Sequence, residues 1–422
     1  MNDCDKSIHA IWIRMKRTQG SFFKWAFSSA IIGIICGFLG TLFHLAVEYA
    51  TDYRQENPYL LFFLPLIGLV IIKCYHLAHM ENDGGTNIII SSIRSSEKIP
   101  FAMTPLIFIG TVLTHLFGGS SGREGAALQI GGSIGSALGP FLRLKETEIH
   151  LLTMCGMSGM FAALFGTPIA ATIFSMEVIS VGVLYYVAFV PCIFSSLIAY
   201  GISTYFGIRP TFFSINIIPE VSITSMLQVI ILSALCAFVS MLFCIIMHNT
   251  TALYKKVFSS QYIRIFVGGC LIILLTLLVG NRNYNGAGMN IIQQAIHGNA
   301  SPWAPWLKII FTALTLGAGF KGGEIIPTLF IGATFGNVVG SLIGLDPCFA
   351  AAIGMVGLFC GVVNCPIASL FLSIELFGAE GILFFCVSSA VSYMLSGYYG
   401  LYSSQKIVYS KLRPHYININ SK

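Results

Sequence analysis

Residues 156–177, GMSGMFAALFGTPIAATIFSME, return as residues 354–375, GMVGLFCGVVNCPIASLFLSIE, with nine identities in 22 positions and no gap. The shared positions include both glycine pairs, the Pro-Ile-Ala step and the terminal Ser-x-Glu. Upstream, Gly122-Arg123-Glu124 lies 200 residues before Gly322-Gly323-Glu324, and glycines follow each at near-helical intervals, Gly131 and Gly135 in one, Gly332 and Gly336 in the other. Further upstream still, Gly85-Thr86-Asn87-Ile88-Ile89 parallels Gly288-Met289-Asn290-Ile291-Ile292. Three blocks in the same order at offsets of 198 to 203 make the chain a duplication, with halves at about residues 25–205 and 222–412.

The medium for which these halves are built follows from composition. Hydrophobic residues make up 55% of the 422, charged residues 9%, and mean hydropathy is +0.81. A soluble domain carries roughly 25% charged residues. Apolar runs recur at residues 26–47, 59–72, 101–117, 183–202, 225–247 and 265–279. Some approach the roughly 20 residues that a helix needs to cross about 30 Å of hydrocarbon, and others are shorter or broken by Gly and Pro. The pattern predicts a polytopic, all-α membrane protein in which some helices stop partway. Residues 1–24 carry five Lys or Arg but no small-residue cleavage site, so they read as a cytoplasmic N-terminal segment and not as a removable signal. Lys406, Lys411, Arg413 and Lys422 place the short tail, 413–422, on the cytoplasmic side as well.

Several function classes are excluded by what the sequence lacks. The net charge of +6 is spread over loops and tails and forms no block suited to nucleic acid. The twelve Cys are scattered through apolar runs with no CxxC or Cys/His pair at metal spacing, and behave as small core residues. His76 and His79 are three apart, but no carboxylate or Cys completes a metal set beside them. No HExxH, GxSxG or clustered Asp/His supplies an enzyme's machinery. The chain therefore reads as a non-enzyme without metal or organic cofactor.

What the repeated blocks do supply is a Gly-rich turn just before an apolar helix. Such a turn leaves backbone N–H groups without partners at the positive end of the helix dipole. An anion site follows from that geometry. In duplicated membrane proteins, substrate commonly binds near midplane where interrupted helices of the two halves meet, whether the halves are parallel or inverted. Glu124 stands in the first of these turns, although a charged carboxylate at membrane depth costs about 2.5–3.5 kcal/mol on insertion scales. It is a candidate working residue, with a helix-capping carboxylate as the alternative.

On these blocks the chain resembles the CLC family of chloride channels and anion/proton antiporters over nearly its whole length. Gly122-Arg123-Glu124-Gly125 is similar to the family's GxEGP segment, with Ala126 where proline is usual. Gly323-Glu324-Ile325-Ile326-Pro327 is similar to GxFxP, and Leu401-Tyr402-Ser403 to the stretch holding a pore-lining tyrosine. Gly84-Gly85-Thr86-Asn87-Ile88-Ile89 sits where the family has GSGIP and matches it poorly. The resemblance implies two inverted halves of tilted or partial helices. It further implies a homodimer with one pore per subunit, in a lipid membrane that is the bacterial plasma membrane.

The site residues carry over position by position. The N–H groups of Gly122, Arg123, Glu124 and Gly125 are expected around an outer anion, joined from the second half by those of Glu324, Ile325 and Ile326. Tyr402 is expected to donate its O–H to a central anion, with Thr86 or Asn87 adding a hydroxyl or amide N–H. Glu124 is expected to act as a gate, its carboxylate competing with the anion when ionised and swinging out when protonated.

Two departures separate this chain from the chloride pattern. The family's inner, proton-relaying glutamate is replaced by Val178, beside Glu177, whose repeat partner Glu375 marks both as paired structural carboxylates. Glu324 occupies a normally apolar place, and Gly319-Phe320-Lys321-Gly322-Gly323-Glu324 with Ile331-Gly332-Ala333-Thr334 resembles the fluoride-exporting branch. Glu324 is expected to serve as a second protonatable group unless Lys321 neutralises it. Fluoride export coupled to proton entry is the leading expectation, with a chloride channel or chloride/proton exchanger of the same fold as the alternative.

Overall fold

The computed structural model describes residues 3–422 apart from 82, 96 and 216, with side chains described from residue 12 onward, so the first two residues of the expected N-terminal segment lie outside it. Among the described residues 72% are helical, in sixteen α-helices. Seven helical stretches are long and apolar enough to cross a membrane.

The chain opens with α1 (Asp3–Glu56), which carries the basic N-terminal segment directly into the first apolar run without a break. A 3-10 turn (Pro58–Phe63) leads to α2 (Leu64–Leu77), and then come the short α3 (Thr86–Ser92) and α4 (Met103–Leu116). Next are α5 (Glu124–Phe141), α6 (Glu146–Phe165), α7 (Pro168–Glu177) and α8 (Phe189–Tyr205). The second set is α9 (Ile223–Val257), α10 (Gln261–Val279), α11 (Met289–Ile296) and α12 (Ala304–Ala318). It closes with α13 (Ile325–Leu342), α14 (Pro347–Val363), α15 (Pro366–Phe377) and α16 (Ile382–Leu395). Four of the six apolar runs read from the sequence fall almost wholly on one of these helices, while 59–72 begins in the 3-10 turn before α2 and 183–202 begins in the loop and second 3-10 turn (Tyr186–Ala188) before α8.

Local chemistry explains where the helices stop. Pro168 and Pro366 sit in the first turns of α7 and α15, where a missing N–H costs nothing. Gly166 ends α6 in the left-handed region at φ 76°, and Asn364 ends α14 there at φ 58°. The Asp346 carboxylate accepts the N–H groups of Cys348 and Phe349 at 3.1 and 3.0 Å and so starts α14.

The repeated glycines are contact points. Where α5 crosses α6, a methyl group on Gly131 would run into the Gly156 carbonyl and one on Gly156 into the Gly131 carbonyl. Gly332 of α13 and Gly354 of α14 meet in the same way. Small residues let membrane helices approach backbone to backbone, which dispersion and weak polar contacts then hold. The Ser-x-Glu ends of the repeats are reciprocal too. Glu177, at the end of α7, accepts the N–H groups of Ile367 and Ala368 at 3.2 and 2.8 Å, and Glu375 accepts those of Ile169 and Ala170 at 2.9 and 2.8 Å. Each carboxylate caps the broken helix of the other half.

The all-α architecture carries one small addition. Strands β1 (Ser180–Val181), β2 (Lys406–Tyr409) and β3 (Tyr416–Asn420) form a small sheet, β1 parallel to β2 and β2 antiparallel to β3. The exposure of β3 alternates residue by residue, a period-two pattern that a helix count overlooks. The tail 413–422 is thus tied back: Gly400 donates to the Lys422 carbonyl at 3.0 Å, and the Lys422 N–H donates to Tyr398 at 2.8 Å.

Candidate anion site

The two Gly-rich turns meet face to face. Gly122 N–H donates to the Gly323 carbonyl at 2.7 Å and Gly323 N–H returns to the Gly122 carbonyl at 2.8 Å, an antiparallel bridge between residues 201 positions apart. A methyl group on Gly125 would lie 2.8 Å from Gly323 Cα and 3.1 Å from Glu324 Oε2, so only hydrogen fits there. The bridge aims the N-termini of α5 and α13 into one place. It also corrects one expectation: the Gly122 N–H is consumed by the bridge and is no anion donor, although the glycine sets the geometry.

The donors remaining are the opening N–H groups of each helix. The first α5 bond runs from Ala127 to the Arg123 carbonyl, which leaves Arg123, Glu124, Gly125 and Ala126 without intrahelical acceptors. In α13 the first bond runs from Thr328 to the Glu324 carbonyl, leaving the N–H groups of Glu324, Ile325 and Ile326, while Pro327 has no N–H to offer.

Glu124 is fully buried and folds back on its own turn. Its Oε2 accepts the Arg123 N–H at 3.1 Å, and its Oε1 lies 3.6 Å from Arg123 Nε with no hydrogen-bond partner. The carboxylate thereby sits on one of the donors that an anion would use. Glu324 has a buried Oε2 without a partner. Lys321 does not neutralise it: Lys321 Nζ is 2.9 Å from Asp83 Oδ2.

Thr86, at the start of α3, donates to the Gly125 carbonyl at 3.4 Å and accepts from Gln129 Nε2 at 3.3 Å. Asn87 turns its amide oxygen to the Ser404 N–H at 2.9 Å, and Arg94 donates to the Ser404 carbonyl. These contacts hold the loop that carries Tyr402, whose ring is 2% exposed and whose hydroxyl is buried without a partner. Thr86 and Asn87 thus link Tyr402's loop to the α5 turn, while their own polar groups are partly spent on that link.

Sequence reasoning missed several residues. Gln129 is 4% exposed, with its Oε1 buried and unpartnered, and Ser121, next to the bridge, has a buried unpartnered hydroxyl. A lone Gln inside an apolar helix was the available signal. Val178, in place of the inner glutamate, is fully buried, and its carbonyl accepts Gln405 Nε2 at 3.0 Å. Gln405 also accepts from Asn364 at 3.0 Å. His76 Nδ1 lies 2.7 Å from Glu81 Oε1, and among the described residues no third ligand-type side chain joins them.

A cavity of about 480 Å³ leads to the turns and is lined by His44, Glu48, Arg54, His115, Arg123, Arg282 and Ile326 among others. Three arginines against Glu48 and Asp52 give it a basic balance. Beside it, Lys308 is fully buried, donating to the Tyr284 and Gly286 carbonyls at 3.2 and 2.6 Å.

The chain as a whole is similar to known membrane proteins. The chain is 34% identical over 396 residues to a chloride/fluoride channel protein of Pseudomonas syringae pv. tomato, covering 92% of this chain and 87% of that one. An H(+)/Cl(-) exchange transporter of Vibrio cholerae is 26% identical over 393 residues, 84% of this chain and 82% of its own. Among solved structures, a CLC-type fluoride/proton antiporter superposes with a TM-score of 0.87 at 31% identity, covering 90% of this chain and 97% of its own. A slow cyanobacterial Cl-/H+ antiporter shares the fold at a TM-score of 0.75. The sequence profile described as voltage gated chloride channel matches residues 67–397, a span that contains both glycine turns, and the chain belongs to that CLC family of membrane proteins.

Proposed function

We propose that the protein is a fluoride/proton antiporter that exports fluoride as protons enter. The observation that carries this reading is Glu324, a carboxyl in the second turn whose Oε2 is buried without a partner while Lys321 is committed to Asp83. Without a cation beside it, a carboxyl group in such a place is cheapest as the neutral acid. A neutral acid is a hydrogen-bond donor as well as a proton carrier. Fluoride is small and strongly hydrated, so close donors must replace its water. Likeness at 31% identity to a CLC-type fluoride/proton antiporter supports the same conclusion.

Glu124 is the outer gate in this scheme. Ionised, its carboxylate holds the Arg123 N–H and excludes the anion. Protonated, it loses the charge that holds it there and yields the site, so proton and anion occupancy become exclusive. The N–H groups of Gly125, Ile325 and Ile326 and the hydroxyl of Tyr402 then receive the ion. All these donors are neutral, which keeps binding weak enough for release.

Several further assignments belong to the same proposal. The repeats are 25–205 and 222–412; residues 1–24 and 413–422 face the cytoplasm of a bacterial plasma membrane, and the basic cavity faces outward. Two copies pair through α8, the 3-10 turn before it and α16, where Val187, Phe194, Leu197, Leu383 and Met394 are exposed apolar residues. The protein transports and catalyses no covalent reaction. Chloride transport is the second reading, favoured by similarity to the Vibrio exchange transporter. Anion and proton flux measured together on protein in liposomes separates the two. Fluoride moving with opposed proton flux, and chloride lagging, is the expected result; equal fluoride and chloride flux without protons would overturn it.

A further inference from the structure

We propose that Lys321 and Asp83 form a positioning clamp that sets the spacing between the Glu324 turn and the Thr86 turn, and thereby the affinity of the anion site, an inference that rests on reading these turns as that site. The two residues are 238 positions apart and belong to different halves, yet their side chains meet at 2.9 Å with exposures of 16% and 4%. Each stands three residues before a site residue, Lys321 before Glu324 and Asp83 before Thr86.

Both ends of the clamp are anchored. Asp83 spends its second oxygen on the Gly85 N–H at 2.9 Å, and Gly85 takes φ +59°, a left-handed turn that launches α3. Lys321 donates its own N–H to Thr114 Oγ1 at 3.3 Å, and its ammonium lies 3.9 Å above the Tyr75 ring. Its stem fills the place of a Gly110 side chain, which would fall 2.9 Å from Lys321 Cγ. Immediately after Lys321 come Gly322 and Gly323, and Gly323 makes the bridge to Gly122. The carboxylate therefore connects the turn before Thr86 to the turn before Glu324 with one hydrogen bond at each end.

A buried ion pair is a poor source of stability, because apolar residues of similar volume do as well or better. What it supplies is one distance and one orientation, since removing either charge leaves the other stranded. Positioning is the role left for it. The pair touches neither Glu124 nor the opening N–H groups of α5 and α13, so it acts through the turns.

Full-length protein in liposomes tests this, with anion flux followed against anion concentration for Asp83→Asn, Lys321→Met, Lys321→Arg and the double variant Asp83→Leu/Lys321→Met. Asp83→Asn keeps an acceptor for Gly85 but loses the charge, and is expected to raise the KM for fluoride about tenfold, within the lower part of the usual range for coupled sites. Lys321→Met is expected to do the same, and Lys321→Arg to restore most of the affinity. The double variant strands no charge and so keeps the fold measurable if either single change prevents folding; its KM is expected to shift as well. A folded double variant with wild-type KM, or single variants that lower only the maximal rate, would overturn the clamp. Should the wild-type protein carry chloride as readily as fluoride, the fluoride reading fails, while the clamp is still judged by the KM shift for whichever anion is carried.

Discussion

Replacing Glu177 by Gln separates a structural carboxylate from a proton carrier. In the structure Glu177 is 6% exposed, and both of its oxygens accept N–H groups from the first turn of α15, at 3.2 and 2.8 Å. Gln retains one acceptor oxygen and offers an NH2 group to the other N–H, which then has no partner. An unsatisfied buried donor costs about 1–3 kcal/mol. Loss of the negative charge at a helix N-terminus adds about 0.3–2 kcal/mol. Glu177→Gln should therefore destabilise the protein by roughly 1.3–5 kcal/mol, read as a fall in melting temperature of the purified protein in detergent. Glu375→Gln should do the same to a smaller degree, because its site on α7 is more open to solvent. Neither change should alter the number of protons moved per anion in liposomes. If Glu177→Gln abolished proton movement at unchanged melting temperature while Glu375→Gln did not, Glu177 would be the inner proton carrier and the reciprocal-cap argument would be wrong.

Three further outcomes follow from the same geometry. Gly354→Ala drives a methyl group into the Gly332 carbonyl where α13 crosses α14, and should cost at least the upper end of the 1–3 kcal/mol typical of overpacking, seen as lost monodisperse protein on size exclusion. Tyr402→Phe removes a hydroxyl that is buried and otherwise unpartnered, and should weaken anion affinity by about 1.5–3 kcal/mol, the worth of a hydrogen bond to a charged group, with little loss of melting temperature. Glu324→Gln cannot carry a proton but can still donate an N–H; anion flux should persist with fewer protons moved, and unchanged coupling would remove Glu324 from the proton route.

Most of the fold was legible because duplication and hydropathy are long-range signals. Gly131, Gly156, Gly332 and Gly354 repeat in sequence because they meet in space, and the two Ser-x-Glu ends repeat because each caps the other half's helix. The face-to-face turns were legible in part: the spacing located Gly122 and Gly323, but not that they bond to each other, so Gly122 was taken for a donor. Pairing between distant segments leaves no mark in a single sequence. For the same reason the sequence leaves open whether Lys321 neutralises Glu324, its near neighbour along the chain, and gives no sign of Asp83, its partner across the molecule. Gln129 and Arg94 escaped because their partners are Thr86 and a backbone carbonyl 310 residues away. The small sheet leaves little trace in the sequence because its strands are only two to five residues long.

The central claim is that ionised Glu124 and the transported anion compete for the same donors, and that fluoride is the anion. Simultaneous fluoride-electrode and proton-flux recordings on liposomes holding wild-type protein and Glu124→Gln test it most directly. Wild-type protein should release fluoride with protons moving oppositely, and chloride should lag well behind. In Glu124→Gln, which has no carboxylate to charge or discharge, proton movement should vanish. Proton-coupled flux undiminished in Glu124→Gln, or wild-type fluoride and chloride moving alike without protons, would contradict the account.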